Sequence, residues 1–218
     1  MSVHPRQSNR MFPMVLKLTG RHCLVVGAGT VAQAKIAGLL KTGAQIRVVA
    51  PEATAKIRSW ARAGKIEWRE RGFQPDDLES MFLAVAATPS RQLHQAIFRE
   101  AAQRGVLCNI VDVPELCDFY YPAVVQRGAL QIAISTGGNS PALAQRLRKQ
   151  LEARFGPEWK PWLEQLAKAR DKVQAEVADP ESRKRLLHGY ASEQSFQDFR
   201  RKHGRAQRPR RRRSVRRE

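Results

Sequence analysis

Short apolar runs alternate with amphipathic stretches through the first half of the chain. Two of the runs, 22–26 and 81–87, are continuously apolar, which is typical of strands buried on both faces of a parallel sheet. In 66–71 polar and apolar positions alternate, which predicts an exposed or edge strand. The expected strands are 22–26, 45–49, 66–71, 81–87 and 106–111, and the helices between them are 31–42, 53–63 and 92–103. This order predicts an α/β fold with a doubly wound sheet over about residues 15–113.

Past residue 114 the pattern becomes that of a hairpin followed by helices. An Arg-Gly turn signal at 127–128 separates two strand-like segments. The glycine-rich stretch 135–141 is a polar loop, and it opens a helix because Ser140 suits the N-cap and Pro141 the first turn. The expected elements are strands 123–126 and 130–134, helices 142–155 and 159–177, and a weakly helical segment 181–200.

The charge of the chain is large and unevenly placed. Its 218 residues contain 39 Lys+Arg against 20 Asp+Glu, a net charge of +19, and 42% hydrophobic residues, enough for a core. Residues 200–218 carry +10 of this charge, which leaves +9 on the first 199 residues. A like-charged segment with almost no apolar residues cannot offset its ordering entropy, so we expect a disordered basic tail over 200–218.

Several classes of protein are excluded by composition. No apolar run approaches the roughly 18 residues that cross a bilayer, and the first residues lack the pattern of a signal peptide. The three cysteines (Cys23, Cys108, Cys117) are too widely spaced for a disulfide framework or a zinc pair. The five histidines show no paired metal-ligand spacing, so no metal site is expected. The sequence indicates a soluble, cytoplasmic protein with no membrane partner.

The sharpest local motif is a glycine turn, Gly27-x-Gly29-x-x-Ala32, between a strand and a helix. In a dinucleotide site the first glycine permits the turn, the second lets a pyrophosphate approach, and the small third residue allows close packing. A tight turn that binds nothing is the alternative. The acidic residue expected at the end of the second strand is absent, but Glu52 lies 20 residues past Ala32 and favours NAD over NADP.

Asp112 follows the last strand of the series. Ligands of open α/β sheets lie at the carboxyl ends of the strands, so this carboxylate is placed for proton transfer or cation binding. It could equally cap a loop ahead of Pro114. The loop 135–141 offers hydroxyls and a helix N-terminus to a carboxylate or phosphate, and its alternative is a well-capped helix start.

Taken together, the ordered motifs resemble the precorrin-2 dehydrogenase family, which also forms the N-terminal module of sirohaem synthase and includes sirohydrochlorin ferrochelatases. The resemblance spans about residues 11–175. After Met11-Phe12-Pro13 its motifs are CLVVGAGTVAQAK (Cys23–Lys35), VVAPE (Val48–Glu52), AAT (Ala86–Thr88), CNIVD (Cys108–Asp112), FYYPAVV (Phe119–Val125) and ISTGGNSPALAQRLR (Ile134–Arg148).

The resemblance implies a homodimer of three-part subunits in which NAD⁺ accepts a hydride from precorrin-2 to give sirohydrochlorin. Some members also insert iron into the product. The implied parts are a Rossmann-type NAD-binding domain over 1–113, a small α+β dimerisation segment over 114–150 and a helical C-terminal domain over 151–199. The basic tail has no expected counterpart, and His94 stands where relatives often have Asn.

The resemblance also implies roles for individual residues. Asp112 would be the catalytic general base, and in bifunctional members the same residue is implicated in chelation. The NAD-binding residues would be Gly27, Gly29, Thr30, Val31, Pro51, Glu52 and Thr88. The residues bordering the tetrapyrrole would be Asn109, Thr136, Gly137 and Gly138.

A function of a different class rests on the basic tail. Arginine clusters bind phosphate backbones without sequence preference, which suits a nucleic-acid-associated or NAD-sensing regulatory protein. Against it, no helix-turn-helix or RNA-binding signature occurs, and the tail lacks interleaved aromatic residues. A basic body is also explained by precorrin-2 itself, because its carboxylates make it a polyanion.

Overall fold

The computed structural model describes residues 11–203 of the chain. Along them it forms β1 (His22–Val26), α1 (Thr30–Leu40), β2 (Gln45–Val49), α2 (Ala55–Arg62), β3 (Glu67–Arg69), β4 (Leu83–Ala86), α3 (Arg91–Gln103), β5 (Leu107–Ile110), β6 (Ala123–Arg127), β7 (Leu130–Ile134), α4 (Pro141–Arg154), α5 (Trp159–Glu176), α6 (Pro180–Tyr190) and α7 (Glu193–His203). Short 3₁₀ turns occur at Pro75–Leu78 and Pro114–Leu116. The predicted order of strands and helices is confirmed.

The first five strands form one parallel sheet in the order β3-β2-β1-β4-β5. Val26 at the end of β1 pairs with Val49 of β2 on one side and with Ala86 of β4 on the other. The carboxyl ends of these three strands are therefore level with one another. β3 lies at the edge of the sheet, as its alternating pattern predicted.

Both faces of the sheet are covered, which explains the continuous apolar runs. Alternate residues of β1 enter different clusters: Val25 packs with Ile36 of α1, and Leu24 packs with Ile97 of α3. All four side chains are fully buried. A strand with one solvent face would have alternated polar and apolar residues instead.

Contacts divide the structure into two compact units, and the boundary differs from the predicted one at residue 113. The first unit ends at Tyr121 and includes Gly137–Asn139, whereas the second contains Pro122–Thr136 and the chain from Ser140 onward. The predicted dimerisation segment and helical domain therefore do not separate at residue 150. The physical reason is that Arg127 joins them: its Nε donates to the Phe155 carbonyl at 2.8 Å, and its Nη2 donates to the Glu152 carbonyl at 3.2 Å.

An aromatic cluster forms the core of the helical part of the second unit. Trp162, Phe196 and Phe199 are buried there, and Trp159 packs against them. Because two of these residues lie on α7, that helix is part of the fold.

The segment 181–200 forms two helices instead of one. Asp179 caps α6 by accepting from the Ser182 backbone N–H at 2.8 Å, and α7 continues to His203. The expectation of disorder from residue 200 is therefore wrong for 200–203, and the rest of the predicted tail lies outside the described residues. In residues 11–203 no helix combines the length and apolar character needed to cross a membrane.

A buried carboxylate lies beneath the edge strand β3. Asp77 is fully buried, and its Oδ1 accepts from Arg69 and Arg71 at 2.8 and 2.7 Å. Its Oδ2 accepts from Arg71 and from the Gln74 backbone N–H at 2.8 and 2.9 Å. Burial alone would raise the pKa of Asp77, but the hydrogen bonds from Arg71, Gln74 and Arg69 outweigh it and lower the pKa.

We expect Asp77→Asn to lower the free energy of unfolding by about 3 kcal/mol, because two guanidinium groups lose their buried counter-charge. Since the folded pKa lies below the unfolded one, the carboxylate stabilises the protein above the unfolded pKa. This contribution is lost as the pH falls through the folded value. Urea unfolding at neutral and acid pH measures both effects. The control is Asp76→Asn, which changes the exposed neighbouring carboxylate. An equal decrease in the free energy of unfolding in both variants would contradict the prediction.

Candidate active site

In the glycine turn between β1 and α1, packing within the protein requires a glycine at the first position. Gly27 has a φ of +100°, and a Cβ at this position would overlap the carbonyl oxygen of Ala87. Ala32, the third position of the motif, is fully buried against the sheet. The first and third positions of the motif are thus explained without a ligand.

The second glycine has a different explanation. Gly29 has an ordinary φ of −79°, and a Cβ there would meet no protein atom within 4 Å. It is the N-cap of α1 and offers no side-chain cap to the N–H groups of the first turn. Those groups and the helix dipole favour an anion. The open space and the uncapped helix start therefore suit the pyrophosphate of a dinucleotide, with Thr30 and the exposed Val31 in the first turn.

Pro51 and Glu52 are exposed just past the end of β2. The backbone before them is held in place from the neighbouring strand, because Trp68 Nε1 donates to the Ala50 carbonyl at 3.1 Å. Glu52 therefore lies beyond the same sheet edge as the glycine turn. Trp68 thus supports the backbone of this loop through its indole N–H.

A second connection ties the β2 loop directly to the glycine turn. The backbone N–H of Thr54 donates to the Ala28 carbonyl at 3.1 Å, and the Thr54 hydroxyl donates to Gln33 Oε1 of α1 at 2.8 Å. The same hydroxyl accepts from the Ile57 N–H and caps α2. Sequence reasoning missed Thr54 and Gln33, although a threonine directly before a helix is a recognisable cap signal.

The loop after β4 carries Thr88 and is held by a histidine. His94 is 6% exposed, and its Nε2 lies 2.7 Å from the Thr88 carbonyl oxygen. The Thr88 hydroxyl accepts from the Ser90 N–H at 3.2 Å, and Ser90 caps α3. His94 is thus a buried support for the Thr88 loop at the start of its helix.

Asp112 is exposed in the turn that follows β5, with a φ of +62°. Among the described non-glycine residues only Ser80 shares this left-handed conformation. Such a backbone is uncommon for a residue with a side chain and costs about 1 kcal/mol or more, although aspartate tolerates it better than most residues. Asp112 therefore stands at the ligand-binding edge of the sheet in a geometry that the surrounding fold maintains.

The segment after Asp112 is clamped to β5. Asn109 is buried, and its Nδ2 donates to the Phe119 carbonyl at 2.8 Å. Cys108 donates its backbone N–H to Asp118 Oδ2 at 2.9 Å, and Cys117 Sγ lies 3.1 Å from the Ile110 carbonyl. These bonds give Asn109 a supporting role beneath the turn, and its predicted contact with a tetrapyrrole stays a prediction.

Lys35 is a residue of this region that sequence reasoning did not single out. It lies on α1, and its Nζ is 3.8 Å from the ring centroid of Tyr121. Burial lowers the pKa of Lys35, while the negative charge of Asp112 opposes that shift. The ammonium is therefore half-desolvated and close to the predicted catalytic carboxylate.

The glycine-rich loop before α4 uses its hydroxyls as caps. Ser140 accepts from the Leu143 N–H at 3.2 Å, and the Thr136 hydroxyl accepts from the Ser140 N–H at 3.1 Å. Gly137 and Gly138 both have left-handed backbones, with φ of +59° and +82°. The predicted N-cap is confirmed, whereas binding of the tetrapyrrole by this loop stays a prediction.

The sheet order and the position of the glycine turn define the class of protein. A parallel sheet ordered 3-2-1-4-5, with a glycine turn where the strand order reverses, is the Rossmann-type NAD(P)-binding fold. A family model described as "Putative NAD(P)-binding" matches residues 14–123, and one described as "Sirohaem biosynthesis protein central" matches residues 127–154. The chain belongs to the NAD(P)-binding family that the first model describes. The second match adds the central segment of sirohaem biosynthesis proteins, in agreement with the resemblance of its motifs to the precorrin-2 dehydrogenase family.

Individual relatives agree with this assignment. The siroheme synthase of Nitrosococcus oceani is 41% identical over 64% of the chain, and that of Methylococcus capsulatus is 37% identical over 85%. The chain spans only 30% and 40% of the lengths of these two relatives. A solved structure of SirC, a precorrin-2 dehydrogenase, is 28% identical with a TM-score of 0.74, covering 89% of this chain and 100% of its own.

Proposed function

We propose that this chain oxidises precorrin-2 to sirohydrochlorin with NAD⁺ as the hydride acceptor. The observation that carries the proposal is the match to the full length of the SirC precorrin-2 dehydrogenase. It is supported by the position of the glycine turn, the Thr88 loop and Asp112 at the carboxyl ends of adjacent strands. This is the edge at which an open α/β sheet binds its ligands.

The residues present fit a dinucleotide. Gly29 leaves open space before an uncapped helix start, which suits a pyrophosphate. Thr30 and Val31 would contact the dinucleotide from the first turn of α1, and Thr88 would contact it from the loop after β4. When bound, NAD⁺ supplies the two-electron chemistry as a hydride acceptor. The contribution of the protein is to orient the two reactants against each other.

Asp112 is proposed as the group that accepts the proton lost during oxidation. Removing a hydride from precorrin-2 leaves a cation, and aromatising the macrocycle then requires loss of a proton. A carboxylate that is exposed at the ligand edge can accept this proton directly. No other described acidic residue shares its left-handed position after a sheet strand.

Charge complementarity is a further argument for a polyanionic tetrapyrrole. The first 199 residues carry +9, which raises the local concentration of a substrate rich in carboxylates. The proposed substrate-bordering residues are Asn109, Thr136, Gly137 and Gly138, of which the last three belong to the loop before α4. Gly137 and Gly138 adopt left-handed backbones, which lets the loop turn sharply without side chains on its surface.

NAD is the proposed cofactor in preference to NADP. Glu52 lies exposed beyond β2, where a carboxylate hydrogen-bonds the ribose hydroxyl of NAD and repels the 2′-phosphate of NADP. Rates measured with each cofactor separate the two.

The active assembly is proposed to be a homodimer. β6 and β7 form a two-stranded sheet with Val124 37% exposed on its outer face. A sheet of two strands is marginal by itself, and a second copy would cover it. Light scattering of the purified chain checks this, and a monomeric mass at assay concentrations would count against the dimer.

The cytoplasm is the proposed compartment. Cys23, Cys108 and Cys117 are all free thiols, the state that a reducing compartment maintains. Cell fractionation with an antibody against the chain tests this, and recovery in an oxidising compartment would contradict it.

The deciding experiment is a spectral assay of the purified chain with precorrin-2 and NAD⁺. We expect NADH and sirohydrochlorin to appear together at equal rates. A rate that does not depend on NAD⁺ or NADP⁺ would overturn the proposal. Adding Fe²⁺ to sirohydrochlorin in the same preparation, with the uncatalysed rate subtracted, measures metal insertion.

A truncated chain separates the enzyme from the polyanion-binding alternative. The truncation should end at His203, because Phe196 and Phe199 of α7 belong to the core of the second unit. We expect this variant to keep the dehydrogenase rate and to lose any binding of DNA. Loss of the dehydrogenase rate in a truncated chain that unfolds like the wild type would show that the enzyme depends on the residues after 203.

A further inference from the structure

A lysine on the helix that follows the glycine turn is held beside Asp112. Lys35 Nζ lies 3.8 Å from the ring centroid of Tyr121, so the ammonium rests on the face of the aromatic ring. No carboxylate in the described part of the chain lies within 4.0 Å of this nitrogen. The ring holds the ammonium without neutralising its charge, because a cation–π contact compensates only part of the lost hydration.

The ring itself is fixed by the clamped segment after β5. Phe119 accepts the hydrogen bond from buried Asn109 at 2.8 Å, and its ring meets that of Tyr121 edge-on at 5.7 Å. Tyr121 is therefore oriented by a segment that is bonded to the sheet. The face of the Tyr121 ring in turn contacts the Lys35 ammonium and so fixes its position within the first unit.

Among the groups that act electrostatically on Lys35, only Asp112 carries a negative charge at pH 7. Burial raises the pKa of the Cys117 thiol, so this group is neutral at pH 7. Burial likewise raises the pKa of Tyr121 to about 12, so the phenol is neutral as well. Asp112 is near enough for its charge to act on Lys35 but does not form an ion pair with it.

We propose that Lys35 binds a side-chain carboxylate of the tetrapyrrole and thereby seats the macrocycle over Asp112. A bound carboxylate replaces the hydration that the half-buried ammonium has lost. Because Lys35 lies on the helix that begins at Gly29, the same helix would hold the dinucleotide at its start and the second reactant at its second turn. This inference rests on the proposed function and adds a substrate contact to that site.

The test compares Lys35→Met with the wild-type chain in binding and in turnover. Methionine keeps the length and the apolar stem of lysine but removes the charge. We expect the Kd for sirohydrochlorin, followed by its absorbance, and the KM for precorrin-2 to rise about tenfold, as for the loss of one charged contact. We expect kcat and the Kd for NAD⁺ to stay within about twofold, because the proton acceptor and the helix start are untouched.

Matched variants distinguish a charge contact from a general effect. Lys41→Met removes the same charge from the exposed end of the same helix. It should leave the Kd for sirohydrochlorin and the KM for precorrin-2 unchanged. Lys35→Arg should recover most of the affinity, and Tyr121→Leu should lose part of it by releasing the ammonium. Added salt should weaken binding by the wild type more than by Lys35→Met.

The outcomes separate this inference from the proposed function. If the wild type oxidises precorrin-2 and Lys35→Met has an unchanged Kd and KM, the lysine is not a substrate contact. If kcat falls while the Kd is unchanged, Lys35 acts on Asp112 and the assigned carboxylate contact is wrong. If the wild type does not oxidise precorrin-2 but binds sirohydrochlorin through Lys35, the oxidation fails and the binding site stands.

Discussion

Replacing Asp112 with asparagine is expected to lower kcat for precorrin-2 oxidation by about a hundredfold or more, the usual contribution of a general base. The Kd for NAD⁺ should stay within about twofold, because the glycine turn belongs to a different strand. Asparagine is the informative replacement, since it tolerates the left-handed backbone that Asp112 adopts. Initial rates and calorimetric titration with NAD⁺ measure the two effects.

Controls for this prediction come from the same loop. Glu115→Gln removes an exposed acidic charge nearby and should keep the wild-type rate. Asp112→Ala adds backbone strain to the loss of the carboxylate, so its unfolding should be compared with that of the asparagine variant. If the asparagine variant keeps the wild-type kcat, the proton is accepted elsewhere and Asp112 has no part in the chemistry.

The two glycines of the turn are expected to respond to alanine in opposite ways. Gly29→Ala should raise the Kd for NAD⁺ by about tenfold or more. It should lower the free energy of unfolding by about 1 kcal/mol at most, because a Cβ there meets no protein atom and only the preference of the N-cap for glycine over alanine is lost. Gly27→Ala should lower the free energy of unfolding by about 2–4 kcal/mol. Its backbone is left-handed and a Cβ would overlap the Ala87 carbonyl.

Urea unfolding and calorimetric titration of both variants test this contrast. A stable Gly29→Ala protein with wild-type affinity would show that the dinucleotide does not approach this position. A Gly27→Ala protein as stable as the wild type would mean that the contact with Ala87 relaxes at no cost. The Ala32 position offers no such test, because it is fully buried and any larger residue would disturb the core.

The secondary structure followed closely from local patterns. The observed bounds of β2 and β7 are those that the sequence predicted, and the helix at Pro141 begins where its cap and proline indicated. These features depend on neighbouring residues and on burial of both sheet faces. Both can be read from the periodicity of apolar positions.

The division of the chain into two units was harder to predict from the sequence than its secondary structure. Nothing near Arg127 indicates that its guanidinium will bond carbonyl groups at the end of α4, and this contact helps to join the hairpin to the helices. The same holds for Phe196 and Phe199, which made the last helix part of a core although the surrounding sequence is highly charged. Contacts between residues distant in sequence decide such boundaries.

The sequence by itself determined the family, the parallel sheet and the positions of the glycine turn and Asp112, because each depends on an ordered motif or a local pattern. Only the tertiary structure showed that Gly27 is required by Ala87, while the space at Gly29 is open to a ligand. Only the tertiary structure brought Lys35 to the ring of Tyr121. The +19 charge illustrates the difference: its size follows from counting residues, but which lysine faces a substrate depends on how distant segments pack.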